Sequence, residues 1–230
     1  MSEAFPYLTA VVLSDIGCRR ENNEDAVLSL PQCGVFAVAD GMGGAAAGEV
    51  ASRFTVEAIR DAFTRSPDAP FALTAESSAR LLVRAVNDAS QAIKAYAAAH
   101  SLAGPGTTVV VLAFDRATPV RACVLHAGDS RAYRFRDGLL SQLTADHSLA
   151  AAAGVTEEEC LPMRFRGVIT RAVGLAPDVE LERTALAVRP NDLYLLCTDG
   201  LSKMVPDPQL AALLTRESGR PLEELAQLLI

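Results

Sequence analysis

Three apolar runs in this chain end in an aspartate beside a glycine: VFAVA before Asp40-Gly41, VLHA before Gly128-Asp129, and LYLLC before Thr198-Asp199-Gly200. A fourth carboxylate, Asp25, closes the polar run ENNED. Each alone is an ordinary turn, because aspartate and glycine both favour tight changes of chain direction. Together they imply a positive charge between them, since carboxylates at the margins of buried strands are costly to ionise without one. Oxygen donors without His or Cys select hard cations, so Mn2+ or Mg2+ is expected and Zn2+ is not.

The stretch Gly34 to Gly44, GVFAVADGMGG, carries the sharpest of these ends. Its run V-F-A-V-A lacks polar alternation and predicts a strand covered on both faces, which delivers Asp40 to a rigid tip. Gly41, Gly43 and Gly44 then allow close approaches that a Cβ would block. A simple strand-to-helix turn also satisfies this segment. The glycines do not form a nucleotide cradle: GMGGAAAG lacks the Lys-Ser/Thr of a P-loop, and Ala46 stands where G-x-G-x-x-G needs its third glycine. No G-x-S-x-G elbow occurs.

Stepping outward along the chain, residues 8–14 read as an opening strand and AVLSL as a second, with a solvated polar loop between them. Residues 45–64 predict an amphipathic helix, with Glu49, Arg53, Glu57 and Arg60 on one side and Ala51, Phe54, Ala58 and Ile59 on the other. SPDAP breaks the chain before a helix over 75–100, whose Leu82, Val86, Ala89, Ile93 and Tyr96 form an apolar stripe. TTVVVLAF, VRACVLHAGDS and RAYRFR follow as strands, with a hairpin turn at Asp137-Gly138. Residues 144–167 form an irregular flap. VITRAV, ELERTALAV and LYLLC return to strand, and DPQLAALLTRE and PLEELAQLLI close as helices. This order is not a β-α-β alternation, and it predicts an α+β fold: mostly antiparallel sheet layers with helices outside.

Half of the 230 residues are hydrophobic and the formal charge is −7, which excludes the basic surface expected of a nucleic-acid or anionic-membrane binder. Cys18, Cys33, Cys123, Cys160 and Cys197 are scattered, with no C-x-x-C pair, and read as reduced thiols rather than disulfides or a zinc site. There is no signal-like N-terminus and no apolar run approaching the roughly 18 residues of a membrane span. A cytoplasmic protein is expected. Of the three histidines, His100 ends a helix, His126 lies within a strand as a core residue, and His147 lies in LTADHS as a tie for the flap.

The segments SDIGCRRENNEDAV, VADGMGG, GTT, AGDSRAYRF, LTADHS, ITRAVG and CTDGL together resemble the metal-dependent protein phosphatase family. These are the type 2C serine/threonine phosphatases, here in their compact bacterial form. The resemblance runs from about residue 10 to residue 204. It implies a four-layer α-β-β-α fold, a central mostly antiparallel β-sandwich flanked by helix pairs, with two metals in a cleft at one end. It implies further that Asp40 bridges two Mn2+ or Mg2+ ions, that the Gly41 carbonyl completes one, and that Asp25 and Asp199 hold the other. Asp129 with Asp199 matches a third, weaker site. Arg20 matches the phosphate-binding arginine, a role suited to a guanidinium fork, and Glu24 stands behind the ligands.

The activity so implied is hydrolysis of phosphoserine and phosphothreonine by a metal-activated water, without a phosphoenzyme, opposing a bacterial Ser/Thr kinase. Met42 stands where many eukaryotic members have a histidine, so leaving-group protonation would fall to metal-bound water. Phosphoprotein substrates and a cognate kinase are the expected partners, and a monomer is expected. The family pattern also leads one to expect, after PLEELAQLLI, a glycine-rich turn, an Asp-Asn pair and a last strand. Residues 1–230 therefore read as a single catalytic domain without that motif, with one metal held more weakly. A pseudophosphatase that binds phosphoprotein without turnover is the alternative reading; a nucleotide-binding protein rests on the glycines alone.

Overall fold

A computed structural model describes residues 8–18, 22–65, 74–102, 104–118, 120–155 and 161–230. Its strands form two sheets in which every pairing is antiparallel. The first contains β1 (Asp25–Leu30), β2 (Val35–Met42), β4 (Val109–Phe114), β5 (Arg121–Ala127) and β8 (Glu182–Ala187) in the order β1-β2-β4-β5-β8, and the short β3 (Gly106–Thr107) also pairs with β2. The second has the order β7-β6-β9, from β6 (Arg131–Arg136), β7 (Leu139–Gln142) and β9 (Leu193–Cys197).

Alternation along the central strands explains why two sheets stack. On β4, Val109, Val111 and Ala113 join one core while Val110, Leu112 and Phe114 join another, and all six are buried. Side chains of successive strand residues point to opposite faces, so a strand apolar throughout must be covered twice. One cover is the helix pair α1 (Ala45–Arg65) and α2 (Ala75–His100), which contributes Ile59, Phe63, Leu82, Val86 and Ile93. The other is the second sheet, whose Ala132, Tyr194 and Leu196 meet Phe36 and Val38 between the layers. Burying each such aliphatic side chain is worth about 1.5–3 kcal/mol. On the far side of the second sheet, Tyr133 and Cys197 pack with Leu210, Leu214 and Leu225 of α5 (Asp207–Arg216) and α6 (Leu222–Gln227). The layers are thus α-β-β-α, as the family resemblance implies.

Both long helices start and end within a residue of the predicted bounds. Thr74 caps α2 by accepting the Ser77 N–H at 3.1 Å, and Asp115 at the end of β4 accepts the Ala75 N–H at 2.9 Å. These bonds satisfy amides that a helix start leaves open. The hairpin at Asp137 and Gly138 has φ of 52° and 79°, as a tight two-residue β-turn requires.

Two predicted strands do not form. Residues 8–14 have no strand pairing, although Leu8 packs against the core between the sheets. A strand exists only by pairing, and these residues pair with no described strand. VITRAV makes only isolated bridges, Ile169 to Ser148 and Val173 to Thr107 and Ala176, so it fastens the flap instead of extending a sheet. Two short helices lie near the site, α3 (Leu149–Ala152) in the flap and α4 (Asp199–Ser202) directly after β9.

Candidate metal centre

Register brings the first two carboxylates together. In the β1/β2 ladder Asp25 lies directly opposite Asp40, and paired residues of an antiparallel ladder point to the same face. Asp40 shares that face with Phe36 and Val38, so both carboxylates emerge at the end of the crevice between the sheets. The backbone of Asp40 is held from both sides. Its N–H donates to Thr108 Oγ1 at 3.0 Å, while its carbonyl accepts from the Thr108 N–H and the Thr107 hydroxyl, each at 2.9 Å. Thr108 Oγ1 also shares a 2.6 Å hydrogen bond with Ser130, tying this tip to the loop that carries Asp129.

Gly41 is required by its neighbours. A Cβ there would lie 2.2 Å from the Gly48 carbonyl oxygen, so α1 rests against β2 only because neither position has a side chain. The Gly41 N–H donates to the carbonyl of Glu24 at 3.0 Å, which fixes the residue before Asp25.

The other two aspartates come from the second sheet. The β6/β9 ladder ends at Arg131 opposite Cys197, and Asp129 and Asp199 lie two residues beyond on each strand. Gly128 turns the chain into this position with φ of 110°, and a Cβ on it would come within 2.6 Å of the Thr108 side chain. Thr198 then joins the sheets, its hydroxyl donating to Asp25 Oδ2 at 2.9 Å. A cavity of about 160 Å³ results, lined by Asp40, Met42, Thr108, Asp129, Gly167, Ile169, Asp199 and Lys203. A larger groove between α1 and α2 lies away from all four carboxylates.

The donor set fits hard divalent ions. Asp40, Asp129 and Asp199 line one cavity and Asp25 adjoins it through Thr198. Asp129 is 7% exposed, and its Oδ1 has no hydrogen-bond partner among the described residues. Burial pushes its carboxyl above the usual range, Lys203 opposes that and Asp199 adds to it. A buried carboxylate oxygen without a donor is the feature a bound cation relieves.

Residues 19–227 match the family described as Protein phosphatase 2C. The chain belongs to that family. The serine/threonine phosphatase stp of Listeria innocua is 32% identical over 225 residues, spanning 94% of this chain and 86% of that protein. PppA of Pseudomonas aeruginosa superposes with a TM-score of 0.79 at 33% identity, covering 94% of this chain and 88% of its own. The catalytic domain of the serine threonine phosphatase PstP, solved in complex with 2 manganese ions, gives a TM-score of 0.72 at 35% identity over 93% and 89%.

Within this protein phosphatase 2C domain, the flap reaches the cavity through Gly167 and Ile169. Its base is stitched to the strand tip that bears Asp129: His147 accepts the Gly128 N–H on Nδ1 at 3.2 Å, and its own N–H donates to the Gly128 carbonyl at 3.0 Å. Arg131 adds a forked pair to Asp146 at 2.9 and 2.7 Å. His147 is therefore the tie its sequence position suggests. His126 differs in part from the expected satisfied core residue. It is fully buried, and Nε2 donates to the Ala145 carbonyl at 2.8 Å, but Nδ1 has no partner among the described residues. Candidate ligand atoms of His126, His147 and Glu182 lie within 4.8 Å of one another, yet Arg171 Nη1 sits 3.2 Å from His147 Nε2, a charge that repels any cation there.

Arg20 and Cys160 lie outside the described residues. Cys33, Cys123 and Cys197 are buried free thiols, and Cys18 is an exposed one. His100 ends α2, stacked on Tyr96. Sequence reasoning missed Thr108, Thr198 and Lys203. Lys203 had a signal: it follows Asp199 by four residues, a spacing that stacks side chains on one helix face.

Proposed function

We propose that this chain is a metal-dependent protein serine/threonine phosphatase whose four aspartates hold Mn2+ or Mg2+, two ions in the core site. The observation that carries the reading is the gathering of Asp40, Asp129 and Asp199 on one cavity with Asp25 opposite Asp40 in the β1/β2 ladder, and with a buried oxygen of Asp129 lacking a hydrogen-bond partner among the described residues. Asp40 would bridge the two ions and the Gly41 carbonyl would complete one. Asp25 and Asp199 would hold the other, and Asp129 with Asp199 a third, weaker one. Bound ions of this kind lower the pKa of water and neutralise phosphoryl oxygens.

The chain's own residues supply the rest. Thr107 and Thr108 lock the backbone of Asp40, so its carboxylate enters the cleft in one geometry, and preorganisation of this kind is what catalysis by charge requires. Thr198 orients Asp25 by donating to one of its oxygens. Arg20 would bind the substrate phosphate through two parallel N–H donors. Met42 lines the cavity and has no proton to give, so leaving-group protonation falls to water. Gly167 and Ile169 put the flap where a peptide flanking the phosphoresidue would pass.

The substrates are phosphoproteins, and a Ser/Thr kinase is the partner whose product such an enzyme consumes. The acidic net charge of −7 supports a site that does not rely on a basic surface, and no described helix is long and apolar enough to cross a membrane. We further propose that the chain acts in the cytoplasm as a monomer.

Asp40→Asn tests the reading against a docking module. Hydrolysis of a phosphothreonine peptide in Mn2+ should fall by about a hundredfold or more, beyond what loss of a supporting residue costs. Turnover within threefold of the parent would refute it; so would a parent chain inert at every Mn2+ concentration.

A further inference from the structure

The cavity that gathers the carboxylates also holds an ammonium. Lys203 follows the single turn of α4, and its Nζ lies 2.7 Å from Asp199 Oδ2 and 3.5 Å from Asp129 Oδ2. The first distance is a charge-assisted hydrogen bond; the second is an ion pair without one. Asp129 is 9% exposed at its side chain and keeps Oδ1 without a hydrogen-bond partner among the described residues, so its buried charge is only half answered. Lys203 is 48% exposed at its side chain, which means that its stem comes in from solvent and its head can return there.

We propose that Lys203 is a tethered cation standing in for the third divalent ion, so that this phosphatase runs on two metals and admits a third only when Lys203 swings away. The inference rests on the two-metal reading above. Asp129 and Asp199 are the two carboxylates assigned to the weak third site, and Lys203 pairs with both. An ion entering between them must break the 2.7 Å hydrogen bond or lie beside a like charge, and either one weakens its binding. A tethered group also never dilutes, whereas a weakly held free ion does. Asp40 and Asp25 belong to the other sheet, so the core ions keep these two ligands, and one of the ions shares Asp199 with Lys203. The consequence for function is a phosphatase whose activity saturates with the core ions and is insensitive to higher Mn2+.

Equilibrium dialysis with Mn2+ on the whole chain counts the ions directly, without reference to turnover. Lys203→Gln should bind about one more Mn2+ per chain than the parent, or hold its weakest ion about tenfold more tightly. Lys203→Met keeps the apolar stem and should match it, while Lys203→Arg keeps the charge and should behave as the parent. In Lys203→Gln with Asp129→Asn the gain should vanish. Equal stoichiometry and affinity for the parent and both neutral variants would overturn the proposal, as would a gain that survives Asp129→Asn. Failure of the two-metal reading has its own signature: Asp40→Asn would then leave the parent's Mn2+ binding unchanged, whatever Lys203→Gln did.

Discussion

Thr108→Val is the sharpest perturbation of the site's scaffold. The substitution preserves shape and removes one oxygen, which accepts the Asp40 N–H at 3.0 Å and bonds the Ser130 hydroxyl at 2.6 Å. Thr108 and Ser130 are each 1% exposed, so water cannot substitute freely for either bond. Leaving a buried donor or acceptor unsatisfied costs about 1–3 kcal/mol. With two such groups orphaned, and the Asp40 amide only part-buried, a loss of about 2–4 kcal/mol follows. Ser130→Ala removes one bond and leaves Thr108 holding Asp40, so it should cost about 1 kcal/mol. The double variant removes the orphaned Ser130 hydroxyl too. It should be less destabilised than the sum of the singles by about 1 kcal/mol or more, the coupling of directly bonded partners. Urea unfolding in EDTA measures all three without contributions from metal binding to the native state. Additive singles, or a Thr108→Val loss below about 0.5 kcal/mol, would refute the idea that this hydroxyl pins Asp40 to the Asp129 loop.

Three further outcomes follow from the same geometry. Gly128→Ala meets both a φ of 110° and the Thr108 side chain at 2.6 Å, whereas Gly138→Ala meets only a φ of 79° in open space. The first should lose about 2 kcal/mol or more in urea unfolding and the second about 1 kcal/mol, and equal losses would count against the contact. Burial lifts the Cys123 thiol to about 11 and that of Cys197 to about 12, while Cys18 is exposed. Iodoacetamide at pH 8 should therefore label Cys18 in the native chain and reach Cys123 and Cys197 only after unfolding, as read by peptide mass spectrometry. Burial, the largest influence on His126, lowers its pKa below 6.5, so the unfolded chain takes up the proton first as pH falls. That residue's contribution is intact above pH 6.5 and is lost from there down to its folded pKa, and His126→Gln should flatten the fall in Tm between pH 7.5 and 5.5. An equally steep fall in the variant would place the pH dependence elsewhere.

Much of the fold was legible along the chain because its signals are local. The stripe Leu82, Val86, Ala89 and Ile93 repeats at helical spacing, and all four are buried. VVVLAF could only be a strand covered twice, which is what β4 is. Residues 8–14 and VITRAV read equally well as strands and are not, since pairing depends on a partner edge that no local pattern reports. The aspartates were individually visible and jointly suspicious, and motif order led to the protein phosphatase 2C family.

Position in space was decided by tertiary structure alone. Asp25 meets Asp40 because of the β1/β2 register, in which a slip by one residue would turn the carboxylate to the opposite face. Asp129 and Asp199 join them because two sheets stack and Thr198 reaches Asp25 across 173 residues of sequence. Lys203 enters the same cavity through one helical turn that brings its ammonium back over Asp199. Residue type and spacing along the chain determined which groups could bind a cation. Their distances and the burial of Asp129 belong to the packing, because Coulomb energy and desolvation depend on separation in space and not on separation in sequence.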